Sequence, residues 1–393
     1  MTAPISIVHF TNERERGGVE EHVLTLLRGL DRQRFALRLV CTPELHGALR
    51  ADLPADVAVS EIALRGLGDG GAVVQLARLL RRTRPQVLHA HLFYASLLAA
   101  PIARLCGVRA VVETTHVREH WRRGWKANYA IDRLAARLVD RYIAVSAANA
   151  KYLREEKRIP AAKIRVIANG CDLRRCQASP GEEPALRRRL GIAAGDPVLV
   201  TLARLEPQKG HGLLLEAMAE VQRRHPRVHL VCVGEGRLRG ALEAQRQGLP
   251  DPGRVHLVGF QREVAAYLEM ASATVLPSLY EGMPLAAIES LGAERPVLAS
   301  AVDGTPEVVR HGENGLLFAP GSAAAISDAL CEGLRDPARL REWGRRGRRR
   351  VEARFSQRAQ VVQTEQLYRE VCGHACPAAD GVGVRGAVER EAA

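Results

Sequence analysis

Residues 278–289 read S-L-Y-E-G-M-P-L-A-A-I-E, and how that stretch is read decides the fold. The apolar run 273–276 before it has the length of a buried strand. The run 296–302, P-V-L-A-S-A-V, has the same character after it. Between them lie a Gly-containing turn and a helix of small residues that Pro284 is expected to start. Strand, turn, helix and strand make one βαβ unit. Sheets of that kind bind ligands beyond the carboxyl ends of their strands, where this turn falls. Glu281 precedes the helix and Glu289 lies eight positions on, inside it. A helix start offers backbone N–H groups to an anion, and the two acids offer acceptors to hydroxyls. A phosphorylated sugar carries both kinds of group.

The same alternation extends outward. In the first half, apolar runs at 5–10, 36–41, 57–63, 87–91, 110–114, 142–145 and 164–168 alternate with helix-spaced stretches such as 19–30 and 72–82. The pattern breaks at 171–197, where Pro180, Gly181, Pro184, Gly191 and Gly195 surround one short basic helix at 185–190. It restarts with strands at 198–203, 228–233, 255–259, 273–276 and 296–301, a further short one at 314–318, and a helix at 212–224. The expected class is α/β: two tandem halves, each a mostly parallel sheet covered by helices. The domains are expected at 1–172 and 197–355, with 173–196 between them. A last amphipathic helix is expected at 357–371. The tail 373–393, rich in Ala and Gly without periodicity, is expected to be disordered.

Composition narrows the function. A chain of 393 residues, 47% hydrophobic, is globular and long enough for two sizeable cores. The net charge of +13 permits nucleic acid, an anionic membrane or anionic small substrates, and equally a solvated Arg-rich surface. No run approaches the ~20 apolar residues of a spanning helix. The longest candidate, 92–108, is interrupted by Pro101 and Arg104. No basic n-region precedes the first strand, so no signal peptide is expected. The eight scattered Cys form no C-x-x-C and are expected as reduced thiols in a cytosol. Cys372, His374 and Cys376 have no second ligand pair nearby and are read as a coincidence of the tail, not a zinc site.

Several strand ends carry chemistry. Gly17 and Gly18 follow the first strand and let a backbone approach a ligand, or simply make a flexible loop. Arg204 and Lys209, in R-L-E-P-Q-K-G, follow the first strand of the second half. Two cations there suit a diphosphate, though surface ion pairing reads equally well. Gly234-Glu235-Gly236 lacks a third Gly at the dinucleotide offset, Gly240 coming one residue late, so that fingerprint fails. His89, His91 and His116 end two adjacent strands. Asp303-Gly304-Thr305-Pro306-Glu307 reads as another anion-ready helix start. The sequence has no G-x-x-x-x-G-K-[ST], no D-x-D, no H-E-x-x-H and no G-x-S-x-G.

Taken together and in order, G-G-V-E (17–20), H-x-H (89–91), T-T-H (114–116), A-V-S (144–146), N-G-C-D (169–172), R-L-E-P-Q-K-G (204–210), G-E-G (234–236), P-S-L-Y-E-G-M-P-L-A-A-I-E (277–289), D-G-T-P-E (303–307) and N-G-L-L-F (314–318) resemble the motif set of family-4 retaining glycosyltransferases. The resemblance runs from about residue 5 to about 372. It implies the GT-B fold: two Rossmann-like domains facing across a cleft, acceptor domain first and donor domain second, with a helix at about 356–372 crossing back to the first. By position, Arg204 and Lys209 match the pair holding the donor diphosphate, and Glu281 the acid on the donor sugar hydroxyls. Gly282, Met283, Pro284 and Leu285 match the turn whose amides face sugar and phosphate, and Glu289 the acid on the ribose. Gly17 and Gly18 match the loop that closes on the phosphates, and His116 the histidine near the reaction centre. His91 matches a second cleft-facing histidine. Asn169 is expected near hinge and cleft, and Gly234 at the donor. One departure stands out: the family commonly has G-G before P-E, where this chain has Asp303-Gly304-Thr305.

The resemblance further implies a UDP- or GDP-linked sugar as donor, no cofactor, no metal and front-side attack assisted by the leaving diphosphate. The acceptor class is a glycan or lipid-linked sugar in bacterial surface polysaccharide, lipopolysaccharide or glycolipid synthesis. Two other readings stay open, a sugar-nucleotide epimerase of the same fold and a non-catalytic binding subunit. Nucleic-acid binding is not expected, for no recognition module accompanies the Arg excess. Residues 117–141 hold Arg118, Trp121, Arg122, Arg123, Trp125, Lys126, Arg133, Arg137 and Arg141. They read either as a helix over the sheet or as a basic, Trp-bearing surface for an anionic membrane. The expected location is cytoplasmic, with peripheral contact at the inner face of the membrane.

Overall fold

A computed structural model describes residues 3–66, 68–119 and 128–374. The tail beyond His374 and the residues Trp121, Arg122, Arg123, Trp125 and Lys126 lie outside the described residues.

Two parallel sheets carry the molecule. The first has strands β1 (Ile5–Phe10), β2 (Phe35–Cys41), β3 (Ala58–Glu61), β4 (Val87–His91), β5 (Ala110–Thr115), β6 (Arg141–Ala144) and β7 (Ile164–Val166), in the order β3-β2-β1-β4-β5-β6-β7. The second has β8 (Val198–Leu202), β9 (His229–Val233), β10 (Val255–Gly259), β11 (Ala273–Leu276), β12 (Val297–Ser300) and β13 (Gly315–Phe318), in the order β10-β9-β8-β11-β12-β13. Central strands are buried along their whole length, β4, β5 and β9 at every position, because helices cover both faces of each sheet. This is why they read as continuous apolar runs and not as alternation. Each sheet reverses its winding once, between β1 and β4 and between β8 and β11. At such a point neighbouring helices leave to opposite faces and open a crevice at the strand ends.

The helix Glu182–Leu190 was expected in the region between domains, but it packs onto the second sheet. Leu186 joins Ile192, Val198, Tyr267 and Met270 in one apolar cluster, and Arg187 Nη2 donates to the Met270 carbonyl at 3.0 Å. Burying one leucine is worth about 2 kcal/mol, enough to seat a short basic helix. Two chain crossings join the domains side by side. Cys171 N donates to Phe355 O and Gln357 N to Cys171 O, both at 3.0 Å. A Cβ on Gly170 would stand 2.4 Å from Ser356 O, so only glycine allows that approach.

The last helix, Gln357–Val371, is capped by Ser356 and returns to the first domain. Val361, Leu367 and Tyr368 complete the core that Ile5, Ile7, Leu24 and Leu27 begin. The seven described cysteines are free thiols, Cys171 and Cys176 approaching to 4.0 Å between sulfurs.

Candidate functional site

The two reversal points face each other, and a cavity of about 740 Å³ lies between them. In the second domain, the loop after β8 carries Arg204 and Lys209, and the loop after β11 carries Ser278 and Glu281. The loops are laced together: Leu279 N donates to Gln208 O at 2.8 Å, and Gln208 Nε2 to Tyr280 O at 2.9 Å. Gly210 turns the first loop at φ 68°, and a Cβ there would lie 2.1 Å from Pro277 O. The lacing brings Lys209 Nζ to 2.5 Å from Glu281 Oε1, which also accepts from Ser278 Oγ at 2.7 Å.

The departure at Asp303 has a structural account. Asp303 adopts φ 41°, a left-handed conformation that glycine takes freely and that Asp tolerates better than most residues. Its Oδ2 accepts the Glu281 backbone N–H at 2.9 Å. The side chain thus fastens Glu281 from behind.

The helix that follows runs Leu285–Gly292, so Pro284 is its N-cap and not its first residue. Proline has no side-chain acceptor there, and no side chain caps this end. The helix start is left for a ligand in the cavity that Leu285 and Ala286 line. Glu289 also lines it. Burial, with Glu21 nearby, pushes its carboxyl up to about 7, against the pull of Arg175. The start expected at Thr305 makes only the short helix Thr305–Val308. Its Glu307 is itself the anion: the carboxylate accepts Ala147 N and Ala148 N at 3.0 Å each, capping a helix of the other domain.

The first domain arrives closed over these groups. A Cβ on Gly17 would stand 3.4 Å from Arg204 Nε, and one on Gly282 only 1.6 Å from His116 O. On Gly304 it would stand 2.0 Å from Gly282 O and 2.8 Å from Ser146 Cβ. Gly282 is where the domains touch backbone to backbone, while Gly17 and Gly304 pack against side chains of the facing domain. At the rim, Arg262 of the second domain grips Asp52 of the first at 2.9 and 3.0 Å, and Arg204 lies 3.6 Å from Glu15.

Of the residues singled out in the sequence, Gly17, Gly18, His116, Asn169, Arg204, Lys209, Gly234, Glu281, Gly282, Met283, Pro284, Leu285 and Glu289 all line this cavity. His91 does not. It is fully buried and stands behind His116, Nδ1 to Nε2, at 3.3 Å, because its side chain points into the domain at the end of a strand covered on both faces. Asn169 bridges the domains, Nδ2 donating to Met283 O at 3.1 Å and Oδ1 facing His22 Nδ1 at 2.9 Å.

Other lining residues were missed. Phe260 and Gln261 follow β10, and Arg14 to Arg16 follow β1, so the rule of strand carboxyl ends would have found them. Glu20, read in the sequence within G-G-V-E but given no role, does not line the cavity and fastens its glycine loop. It is 2% exposed, its Oε2 accepts Gly17 N at 2.9 Å, and burial, with Glu13 nearby, pushes its carboxyl up to about 8. Its signal was the capping-box spacing from Gly17.

Known proteins resemble this chain in sequence and fold. The family model described as glycosyl transferases group 1 matches residues 182–350, and that of glycosyltransferase family 4 matches 16–175. A Mycobacterium tuberculosis protein named glycogen synthase is 31% identical over 73% of this chain and 69% of its own. An Escherichia coli protein named UDP-Gal:alpha-D-GlcNAc-diphosphoundecaprenol alpha-1,3-galactosyltransferase is 26% identical over 83% of this chain and 87% of its own. The crystal structure of Anabaena HepE in complex with UDP-glucose superposes with a TM-score of 0.82 over 93% of this chain and all of that one, at 20% identity. With its two facing parallel sheets, the chain belongs to glycosyltransferase family 4 and is a nucleotide-sugar-dependent glycosyltransferase of the GT-B fold.

Proposed function

We propose that the cleft transfers a sugar, with retention, from a nucleoside diphosphate sugar to a glycan or lipid-linked acceptor of bacterial envelope synthesis. The observation that carries the residue roles is the Lys209–Glu281 pair at 2.5 Å beside an uncapped helix start. Arg204 and Lys209 take the diphosphate, Glu281 the sugar hydroxyls and Glu289 the ribose. Gly17 and Gly18 bring the first domain's loop onto the phosphates. His116 meets the sugar from the acceptor side.

In this reading the chemistry needs charge stabilisation more than a nucleophile. As the sugar–phosphate bond breaks, negative charge grows on the diphosphate, where Arg204, Lys209 and the first-turn amides are already oriented. The departing phosphate oxygen takes the proton of the acceptor hydroxyl as the acceptor oxygen bonds the anomeric carbon, on the same face from which the phosphate leaves. These residues provide the charge without calling on a metal.

A thermal-shift and hydrolysis screen over UDP- and GDP-linked sugars tests the reading. A donor at 100 times its Kd adds about 2.7 kcal/mol and a measurable rise in Tm. No stabilisation by any of them, and no turnover with a lipid-linked or glycan acceptor, would refute it. A donor epimerised without acceptor would favour the epimerase.

Peripheral placement at the cytoplasmic face of the membrane is part of the proposal. Among the described residues no helix is long and apolar enough to cross a membrane. Ile131 and Leu134, on the helix Asn128–Ala135 within the basic segment, are exposed at 49% and 63%. Apolar residues among Arg on an exposed helix suit an anionic interface. Flotation with anionic and neutral liposomes decides it; equal recovery with both sinks the placement.

A further inference from the structure

Five histidines, His9, His22, His89, His91 and His116, pack together beneath the cleft in the first domain, with ring centroids 4.3 to 5.6 Å apart. Burial holds all five neutral: His9 falls to about 3, His22 to about 4, and the others well below the usual range. Three of them form a chain. His9 Nδ1 meets His91 Nε2 at 3.1 Å, and His91 Nδ1 meets His116 Nε2 at 3.3 Å. That leaves His116 Nδ1 as the nitrogen for the cavity His116 lines.

A neutral imidazole has one N–H and one lone pair. The chain therefore runs in one direction throughout, and the ring state of His116 is tied to that of His9. The far end selects the direction, because His9 Nε2 is buried with no hydrogen-bond partner among the described residues. Donation from His116 inward would strand an N–H at that nitrogen. Donation from His9 outward strands only a lone pair, the less costly orphan. The blind end also means that no proton enters there, so the chain orients His116 and does not conduct protons to solvent.

Resting on the reading of the cleft above, we propose that His9 and His91 are positioning residues that fix His116 with its proton on Nδ1. His116 then presents an N–H donor to an oxygen of the transferred sugar. The alternative is a metal. The triads His9/His89/His91 and His22/His91/His116 each bring nitrogens within 4.8 Å of one another. Both triads need His91, whose two nitrogens His9 and His116 already occupy, and neither includes a carboxylate to offset the ion's charge.

Long-range proton–nitrogen correlation spectra of the unliganded, 15N-histidine protein read the tautomers directly, with His116 assigned from its loss in His116→Gln. We expect a protonated Nδ1 on His116; a protonated Nε2 overturns the proposal. Zinc, nickel or copper retained at one equivalent through gel filtration also overturns it. In His9→Leu the His116 signals should move to the average of two tautomers. The turnover number should fall about tenfold, the scale of one lost hydrogen bond, with donor KM within about twofold. His9→Gln, which keeps an N–H toward His91, should restore most of it. An unchanged His116 spectrum in His9→Leu refutes the link. The tautomer is read without substrate, so it stands or falls separately from the transfer reaction.

Discussion

Lys209 and Glu281 neutralise each other across 2.5 Å at the centre of the cleft. In the proposed reading a donor parts that pair, placing its diphosphate on the lysine and its sugar on the acid. Lys209→Ala is therefore expected to lower kcat/KM by a factor on the order of 10² to 10³. Tm should fall modestly, since the buried Glu281 keeps the Ser278 hydroxyl but loses its cation. Glu281→Gln splits the two roles. It frees the lysine charge, so nucleoside diphosphate binds several-fold tighter by calorimetry while sugar transfer collapses. Equal weakening of both would contradict the assignment.

Closure is the second prediction. Gly282→Ala places a methyl 1.6 Å from His116 O, in the seam between domains. The variant should fold, because that contact belongs to neither core, yet remain ajar. Small-angle scattering should show a larger radius of gyration than wild type, and donor KM should rise. An unchanged scattering curve with normal turnover would show that the seam tolerates the methyl.

The rim contact separates fold from motion. Asp52 is 6% exposed by side chain and accepts from Arg16 at 2.6 Å, Arg28 at 2.8 Å and Arg262 at 2.9 Å. Burial alone would raise its pKa, but the hydrogen bonds from Arg262 and Arg16 hold it well below the usual carboxylate range. Asp52→Ala leaves Arg16 buried without one of its two acid partners and should cost about 3 kcal/mol in chemical denaturation. Arg262→Ala should cost under ~1 kcal/mol while weakening donor binding, more at low salt than at high.

Stability should peak near neutrality. The five clustered histidines stay neutral in the fold, whereas the unfolded chain protonates them below about 6.5. Stability is lost as pH falls through that value. Glu20, at about 8, and Glu289, at about 7, act in the opposite sense. Their native carboxyls keep protons that the unfolded chain has released above about 4.5, so stability also falls as pH rises toward 8. Glu20→Gln removes part of the alkaline decline. Its Tm relative to wild type should climb between pH 5 and pH 9, and a constant difference would refute the assignment.

The α/β class and most strand positions were legible because strands buried on both faces leave continuous apolar runs. Arg204, Lys209 and Glu281 were legible because each follows the carboxyl end of a strand, a place the alternation itself marks, and Glu289 because it stands eight positions on, in the helix that follows. Contacts made across the two domains were not. Nothing in the local sequence pairs Arg262 with Asp52, 210 positions away, or sets Glu307 at the start of a helix beginning at Ala147. His91 was read as facing the cleft from its match to a family histidine and its place at a strand end, neither of which tells which element covers it. The helix Glu182–Leu190 was read as connecting chain because Pro and Gly surround it. Leu186, with the partly buried Leu190, carries the apolar contact that seats it in the second domain.

The helix Gln357–Val371 sets the order in which the molecule can be completed during synthesis. It supplies Tyr368, whose hydroxyl meets His89, and Gln360, whose amide meets His22 and Gly170. Those partners leave the ribosome before the donor domain, and the groups that satisfy them leave after it. The first domain therefore waits, its histidines unsealed and one side of its core uncovered, while the whole donor domain is made and folds. The half translated first is the half finished last, and a nascent chain stopped before Gln357 holds a foldable donor domain tethered to an acceptor domain still lacking its closing helix.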